Sequence, residues 1–456
     1  MTLDSIVKAY DIRGIVPEEL NVSSIQQIAL AVGRLLRDEG EDGIIVGYDM
    51  RESAQELVPV FIETLLSLGI NVRDVGLVST DALYFASGVF DLPGAMFTAS
   101  HNPAHYNGLK LCRRKAIPIG EQSGLNQIKE FLQSPSVLEP SNVLGTLTKE
   151  SILDTYADFF ASRFSLEASR PLSVVVDAAN AMAGLTFPIV ASRFNLNTYP
   201  LYFELDGTFP NHEPNPIDSA NLKDLQAKVK ETKADIGLAF DGDADRCFIV
   251  DENGNIVSPS IVTALICQQV LKNNPGAAIV YNVITSRVVP ETIQRFGGRP
   301  IKSRVGHSFI KNLMAQHDAD FGGEHSGHYY FKDFWFADSG MFAAFYVLEL
   351  LATSSLPLSK LVEPFQTWEE SGEINVKVEN ANQILRTIKQ SVESIDTLSL
   401  DETDGLTIEC DMWRVNIRMS NTEPLLRLNV LARTRTEVHQ LVDEYLGLIN
   451  EAQLPL

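Results

Sequence analysis

The stretch LAFDGDADR (238–246) changes character halfway along. Leu238, Ala239 and Phe240 read as the end of a buried strand; the chain then alternates Asp241, Asp243 and Asp245 with the small Gly242 and Ala244 before reaching Arg246. Two other passages share this plan. FTASHNP (97–103) and FGGEHSGH (321–328) also run from an apolar strand into a polar loop. Upstream of the three loops stand further apolar strands that end in Asp or Asn: IIVGYD (44–49), SVVVDAAN (173–180) and AAIVYN (277–282). Repetition of element order at this scale marks repeated folding units.

Between the paired strands the pattern is helical. ESAQELVPVFIETLLSLGI (52–70) puts Leu57, Phe61, Leu65 and Leu66 on one face and ends at Gly69. Strand, helix, strand alternation predicts mostly parallel α/β layers. Ligands bind such layers beyond the carboxyl ends of the strands, where all three polar loops lie. From about Trp368 the pattern differs. WRVNIRM (413–419) and LLRLNVL (425–431) alternate around SNTEP, and TEVHQLVDEYLGLI (436–449) follows: a hairpin and a helix. The expected fold class is α/β, with three similar mixed α/β domains, 1–150, 151–253 and 254–366, plus a C-terminal α+β domain, 367–456. LQSPSVLEPSN (132–142) and ATSSLPLS (352–359) read as connecting loops.

The composition agrees with several globular domains: 456 residues, 45% hydrophobic and 21% charged. A net charge of −22 argues against a nucleic-acid partner, whose phosphates need a basic surface. Asp4 and Lys8 interrupt the N-terminal apolar stretch, which excludes a signal-peptide core. FAAFYVLELLA (342–352) is too short to span a bilayer and contains Glu349. A cytoplasmic protein without a membrane span is expected. Cys112, Cys247, Cys267 and Cys410 lie far apart, suggesting neither a disulfide framework nor a zinc site.

Three carboxylates as close as Asp241, Asp243 and Asp245 repel one another unless a cation neutralises them. An oxygen-only ligand set favours a hard ion, Mg²⁺ or Ca²⁺; the alternative is a solvated acidic turn. An EF-hand is excluded, because Arg246 stands where that loop needs its glycine and both flanks are strand-like. Ser100, beside His101, is open to reading as a nucleophile, a helix cap or an ordinary turn residue. Neither a G-x-S-x-G elbow, a G-x-G-x-x-G fingerprint nor a P-loop is present. Glu324, Ser326 and His328 form a hydrogen-bonding set suited to a polar ligand's hydroxyls. Arg418 with Ser420, Asn421 and Thr422 would suit a phosphate, though Ser-Asn-Thr is also ordinary turn chemistry.

Taken in order, AYDIRG (9–14), TASHNPAHYNGLK (98–110), DGDADR (241–246), GEHSGH (323–328) and RMSNTEP (418–424) resemble the motifs of the α-D-phosphohexomutases over the whole chain, most closely the bacterial phosphomannomutase/phosphoglucomutase branch. The resemblance implies four domains around one central cleft. It implies interconversion of hexose 1-phosphate and hexose 6-phosphate, of mannose or glucose, through a phosphoserine at Ser100 and a hexose 1,6-bisphosphate. By the same resemblance Mg²⁺ is held by Asp241, Asp243, Asp245 and the Ser100 phosphate. Arg13, His101 and Arg246 then stabilise charge, and Lys110 and His328 serve as acid and base. Glu324, His325, Ser326 and Gly327 hold the sugar, Arg418, Ser420, Asn421 and Thr422 the idle phosphate, and Tyr10 and His307 line the cleft.

The phosphosugar would be the partner, and the chain a monomer or homodimer. Two departures from the family pattern stand out: Ile284 where relatives often carry a ligand-facing lysine, and Ser79 with Asp81 where a Thr-Pro step is common. Phosphoglucosamine mutase is the nearest rival activity, and a Mg²⁺-dependent sugar phosphatase a more distant one.

Overall fold

A computed structural model describes residues 3–133, 140–167, 170–420 and 425–453. The chain forms two compact units, Met1–Pro259 with Ser326–Leu361, and Ser260–His325 with Val362–Leu456.

In the first unit, strand Gly43–Tyr48 lies parallel between Asn71–Leu77 and Gly94–Phe97. Tyr106–Arg113 runs antiparallel beside Gly94–Phe97, and Ile12–Ile15 antiparallel beside that. Helix Val22–Asp38 starts at a capping box in which Asn21 and Ser24 satisfy each other's backbone N–H groups. It buries Ile25, Ile28, Val32, Leu35 and Leu36. Helix Ala54–Ser67 buries Leu57, Phe61 and Leu65, while Leu66 is only half-buried at the edge of that face. Gly69, at φ +79°, turns the chain back toward the sheet.

The second repeat has the same topology. Leu172–Asp177 lies parallel between Leu196–Leu201 and Ile236–Phe240, and Cys247–Asp251 runs antiparallel beside the last. In the second unit, Ala278–Asn282 lies parallel between Arg299–Ser303 and Phe321–Gly323. Each repeat therefore places its first strand in the middle, its second strand on one side and its third on the other. Crossovers leave the first strand in opposite directions, which opens a crevice at its carboxyl end next to the third strand. Asp49, Asp177 and Asn282 end the first strands; the loops 98–103, 241–246 and 324–328 follow the third.

The second unit also holds an antiparallel sheet in the order Glu369–Lys377, Leu425–Ala432, Trp413–Met419, Leu406–Glu409 and Ser399–Asp401. Helices Ala381–Val392 and Arg435–Glu451 bury Ile384, Ile388, Val438, Leu441, Tyr445 and Ile449 into the same core as Val415, Ile417, Leu426 and Leu428. In the first unit, helix Gly340–Thr353 is buried over most of its length and packs Phe342 and Phe345 against Phe160 and Phe164 of helix Leu153–Arg163 and the residue after it. Among the described residues no single helix is long and apolar enough to cross a membrane. Cys112, Cys247 and Cys267 are buried free thiols and Cys410 is half-buried.

Candidate active site

Strand Gly94–Phe97 delivers Ser100 into a loop where its backbone is left-handed, at φ +49°. Its N–H donates to Thr98 Oγ1 at 2.9 Å and its Oγ to Asp241 Oδ2 at 2.8 Å. The two loops touch at backbone level: a Cβ on Gly242 would stand 2.3 Å from the Ser100 carbonyl oxygen, which only glycine avoids.

Asp241, Asp243 and Asp245 are all buried, and one carboxylate oxygen from each lies within 4.8 Å of the others. Burial, then the charges of Asp245 and Asp243, push Asp241 up to about 7. Asp243 goes the other way. Burial would raise it, but Lys110, by charge and hydrogen bond, and the Thr80 hydroxyl hold it well below the usual carboxylate range. The Lys110 ammonium donates to Asp243 Oδ2 at 2.6 Å and Asp245 Oδ2 at 2.5 Å. Burial alone would lower its pKa; the four surrounding aspartates raise it far above the ordinary value. Lys110 is therefore a buried cation among carboxylates, in contrast to a solvated surface lysine.

Around this cluster, Arg13 donates to Asn102 Oδ1 at 2.6 Å and also to Asp11. Arg246 donates from Nε to His328 Nε2 at 2.9 Å and stands 3.5 Å from Asp241 Oδ2. Because Nε2 accepts, the single ring proton sits on Nδ1, which faces Asp338 Oδ2 at 2.9 Å. Burial lowers the His328 pKa, but Asp245 and Asp338 outweigh it and leave the value raised; a second proton on Nε2 would break the Arg246 bond. His101 Nδ1 is 3.3 Å from Ser100 Oγ, and burial with the charges of Arg246 and Arg13 keeps its ring neutral. Tyr10 and Ser326 are half-buried, and Gly327 accepts from the Cys247 N–H at 3.3 Å. The first unit thus brings together Arg13, Ser100, His101, Lys110, the three aspartates, Arg246 and His328.

In the second unit Asn282 Nδ2 donates to the buried Glu324 Oε2 at 2.9 Å. His325 Nδ1 is 3.2 Å from Ser260 Oγ and 3.6 Å from Glu370 Oε1. Ile284 lines a small pocket with His325, Glu370, Arg414, Asn416 and Asn429, where the buried Arg414 is the cationic side chain. His307 opens helix His307–His317 after Gly306. Arg418 is nearly enclosed: it donates to Asn429 Oδ1 at 2.7 Å and to Glu373. Ser420 Oγ accepts from Arg427 Nη2 at 3.4 Å. Asn421 and Thr422 lie outside the described residues.

Models of the phosphoglucomutase/phosphomannomutase domains match the chain in consecutive order: domain I over residues 4–136, domain II over 154–254, domain III over 258–368 and the C-terminal domain over 373–448. The chain belongs to the phosphoglucomutase/phosphomannomutase family. It is 38% identical to a phosphomannomutase of Escherichia coli, covering 98% of this chain and 100% of that one. It is also 38% identical to a phosphomannomutase/phosphoglucomutase of Pseudomonas syringae, over 96% and 93%. A phosphoglucomutase/phosphomannomutase family protein of Burkholderia thailandensis superposes with a TM-score of 0.91 at 32% identity, over 99% and 98% of the two chains. A phosphomannomutase-like structure from Thermus thermophilus shares the fold, with a TM-score of 0.83 at 21% identity. Membership makes this protein a phosphohexomutase acting on sugar phosphates, with the four-domain α/β fold of that family.

The acidic loop of this phosphohexomutase fits a divalent cation on structural grounds. Asp243 Oδ1 and Asp245 Oδ1 are buried without a hydrogen-bond partner, a costly state that a bound ion relieves, and the donors are all hard oxygens. Sequence reasoning passed over Arg51, Thr80, Asp338, Glu373 and Arg427. Two of these carry a readable signal: Arg51 follows the strand-ending Asp49 by two residues, and Arg427 alternates with apolar neighbours in LLRLNVL.

Proposed function

We propose that this phosphohexomutase interconverts the 1- and 6-phosphates of mannose or glucose, with Ser100 as the phosphoryl carrier. The observation that carries this reading is the 2.8 Å hydrogen bond from Ser100 Oγ to Asp241 Oδ2, a nucleophile set on the edge of a carboxylate cluster with unsatisfied oxygens. Asp241, Asp243 and Asp245 would hold Mg²⁺, which when bound neutralises charge on the phosphoryl group.

The transfer asks mainly for in-line positioning and charge stabilisation. A sugar hydroxyl oxygen bonds to phosphorus as the bond to Ser100 Oγ breaks; the hydroxyl proton passes to Lys110 Nζ as its ammonium yields a proton to Asp243 or Asp245 in one substrate orientation, or to His328 in the other. The hexose 1,6-bisphosphate so formed reorients. Ser100 Oγ then attacks the other phosphate, and the departing sugar oxygen takes up a proton. Arg13 and Arg246 offset the charge of the transferring group, with the neutral His101 as a hydrogen-bonding neighbour. Glu324, His325, Ser326 and Gly327 position sugar hydroxyls, Arg418 and Ser420 with Asn421 and Thr422 hold the idle phosphate, and Tyr10 and His307 complete the contacts. In this assignment the phosphoserine loop belongs to 1–150, the metal loop to 151–253, the sugar loop to 254–366 and the phosphate loop to 367–456.

Intact-protein mass spectrometry after priming with glucose 1,6-bisphosphate tests the carrier, with one added phosphate expected on Ser100 and none on Ser100→Ala. Turnover of mannose, glucose and glucosamine 1-phosphates side by side tests the sugar. Predominant release of inorganic phosphate would identify a phosphatase instead.

A further inference from the structure

We propose that Arg51 is a positioning residue for phosphoryl transfer, holding the loop backbone that presents Ser100; this rests on Ser100 being the carrier. Arg51 is 2% exposed and sits three residues past the end of the central strand of the first repeat. Its Nε faces Asp49 Oδ2 at 3.3 Å. Nη1 donates to the carbonyls of Pro103 and Tyr106 at 2.8 and 2.9 Å, and Nη2 to those of Ser100 and Asn102 at 2.9 and 2.7 Å. A guanidinium has five N–H groups in a rigid fork, and here they meet five acceptors, four of them carbonyls between Ser100 and Tyr106.

A buried carbonyl left without a donor is costly, and Arg51 supplies one to each of these four. Ser100 adds a left-handed φ of +49°, which persists in a non-glycine residue only when its surroundings impose it. Three contacts impose it: Ser100 N–H to Thr98, Ser100 Oγ to Asp241, and Ser100 C=O to Arg51. The first is made within the loop and the second reaches Asp241 of the second repeat; the third alone ties the Ser100 carbonyl to a fixed point.

That point is itself braced. Asp49 Oδ1 accepts the Arg51 backbone N–H at 3.0 Å. On the far side the guanidinium carbon lies 5.2 Å from the centroid of the Phe209 ring, which belongs to the second repeat. Gly207 of the same turn packs so closely that a Cβ there would stand 3.0 Å from Arg51 Cα. Arg51 is thus clamped between the second repeat and the nucleophile loop. A lysine, with three donors at one point, cannot span carbonyls that arrive from two directions.

The test uses the full-length enzyme with Arg51→Lys, Arg51→Gly with and without added guanidinium ion, and Phe209→Leu. For each, circular dichroism and the thermal midpoint report the fold, mass spectrometry the rate at which glucose 1,6-bisphosphate phosphorylates Ser100, and steady-state kinetics kcat and KM. Misplacing a reacting atom by an ångström costs about a hundredfold, so Arg51→Lys should lose about that much in kcat and in phosphorylation rate together. KM should stay within about threefold, as expected when transition-state contacts alone are lost.

Guanidinium should restore part of the Arg51→Gly activity and methylammonium should not. Phe209→Leu should lose about tenfold in kcat while folded, through a slackened cation–π brace. A folded Arg51→Lys with kcat within about threefold of wild type overturns the proposal. So does wild-type kcat in Phe209→Leu, should the Arg51 variants fail to fold. Wild-type enzyme that turns over without phosphate on Ser100 would instead refute the carrier assignment and leave the two failures distinct.

Discussion

Asn282 joins the first and third strands of its repeat through a single side chain: its Nδ2 donates to Glu324 Oε2 at 2.9 Å, while its Oδ1 accepts from Thr285 N and Oγ1 at 3.0 and 2.7 Å. The amide is therefore oriented by its partners, with the donor toward Glu324. Asn282→Asp replaces that donor with an anion in a buried setting, where like charges repel strongly. The expected outcome is a KM for hexose phosphate raised at least about tenfold, with kcat less affected, since the loss falls on substrate grip. Asn282→Ser, which removes the contact without adding charge, should be milder. A wild-type KM in Asn282→Ser would show that Glu324 does not depend on this bond.

Arg418 and Arg427 are cross-strand partners in the antiparallel hairpin, and Glu373 pairs with both guanidinium groups. Their exposures divide the work: the Arg418 side chain is 5% exposed and Arg427 30%. Arg427→Gln should raise KM about tenfold with the thermal midpoint nearly unchanged, because a phosphate gains more from an accessible guanidinium. Arg418→Gln should cost about 1–3 kcal/mol of stability, leaving Asn429 Oδ1 without this donor and Glu373 with one of its two cations. The two variants compared by thermal unfolding and KM decide whether the assignment of phosphate grip to Arg418 needs to be shared with Arg427.

Much of this site was legible in the chain because its loops follow apolar strands, and that placement needs only local pattern. Asp241, Asp243 and Asp245 could be read as a cation site because alternation with Gly242 and Ala244 is itself the geometry. Thr80 and Glu373 were not legible for the opposite reason. Each acts on a residue far away in sequence, Thr80 on Asp243 and Glu373 on Arg418, and nothing in a single sequence reports a long-range contact. Arg418 was legible in position but not in its partners. Its position at a hairpin tip was readable, but Glu373, which encloses it, comes from a strand 45 residues away.

Lys110 bridges Asp243 and Asp245 and so supplies positive charge where the acidic loop would bind a metal ion. Lys110→Met should have two separable effects. Removing a competing cation should lower the Mg²⁺ concentration for half-maximal activity several-fold, since a buried charge within hydrogen-bond distance strongly biases its neighbours. Removing the proton-transfer group should lower kcat by about 10²–10⁴-fold. Metal titration of the variant, followed by activity and by thermal midpoint in chelator, separates them. A variant with wild-type kcat would exclude Lys110 as acid or base.

Asp81 gives the clearest pH prediction. It is buried in the first turn of helix Thr80–Phe90 and accepts hydrogen bonds from Ser79, from Tyr156 at 2.7 Å and from Ser339 at 2.6 Å, with no cation in contact among the described residues. Burial pushes it up from 3.8 to about 6 despite those three hydroxyls, and Asp245 adds to the rise. A carboxyl raised in the native state binds its proton more tightly folded than unfolded. Its contribution to stability is therefore most favourable below about pH 4 and is lost as the pH climbs to about 6. The full loss is about 3 kcal/mol, of which about 1.5 remains to be lost between pH 5 and 7.5. Asp81→Asn cannot ionise. Its stability relative to wild type, from urea unfolding followed by fluorescence, should therefore improve by about 1.5 kcal/mol between pH 5 and pH 7.5. A difference between the two proteins that stays constant across that range would mean Asp81 is ionised throughout, held so by its three hydroxyl donors.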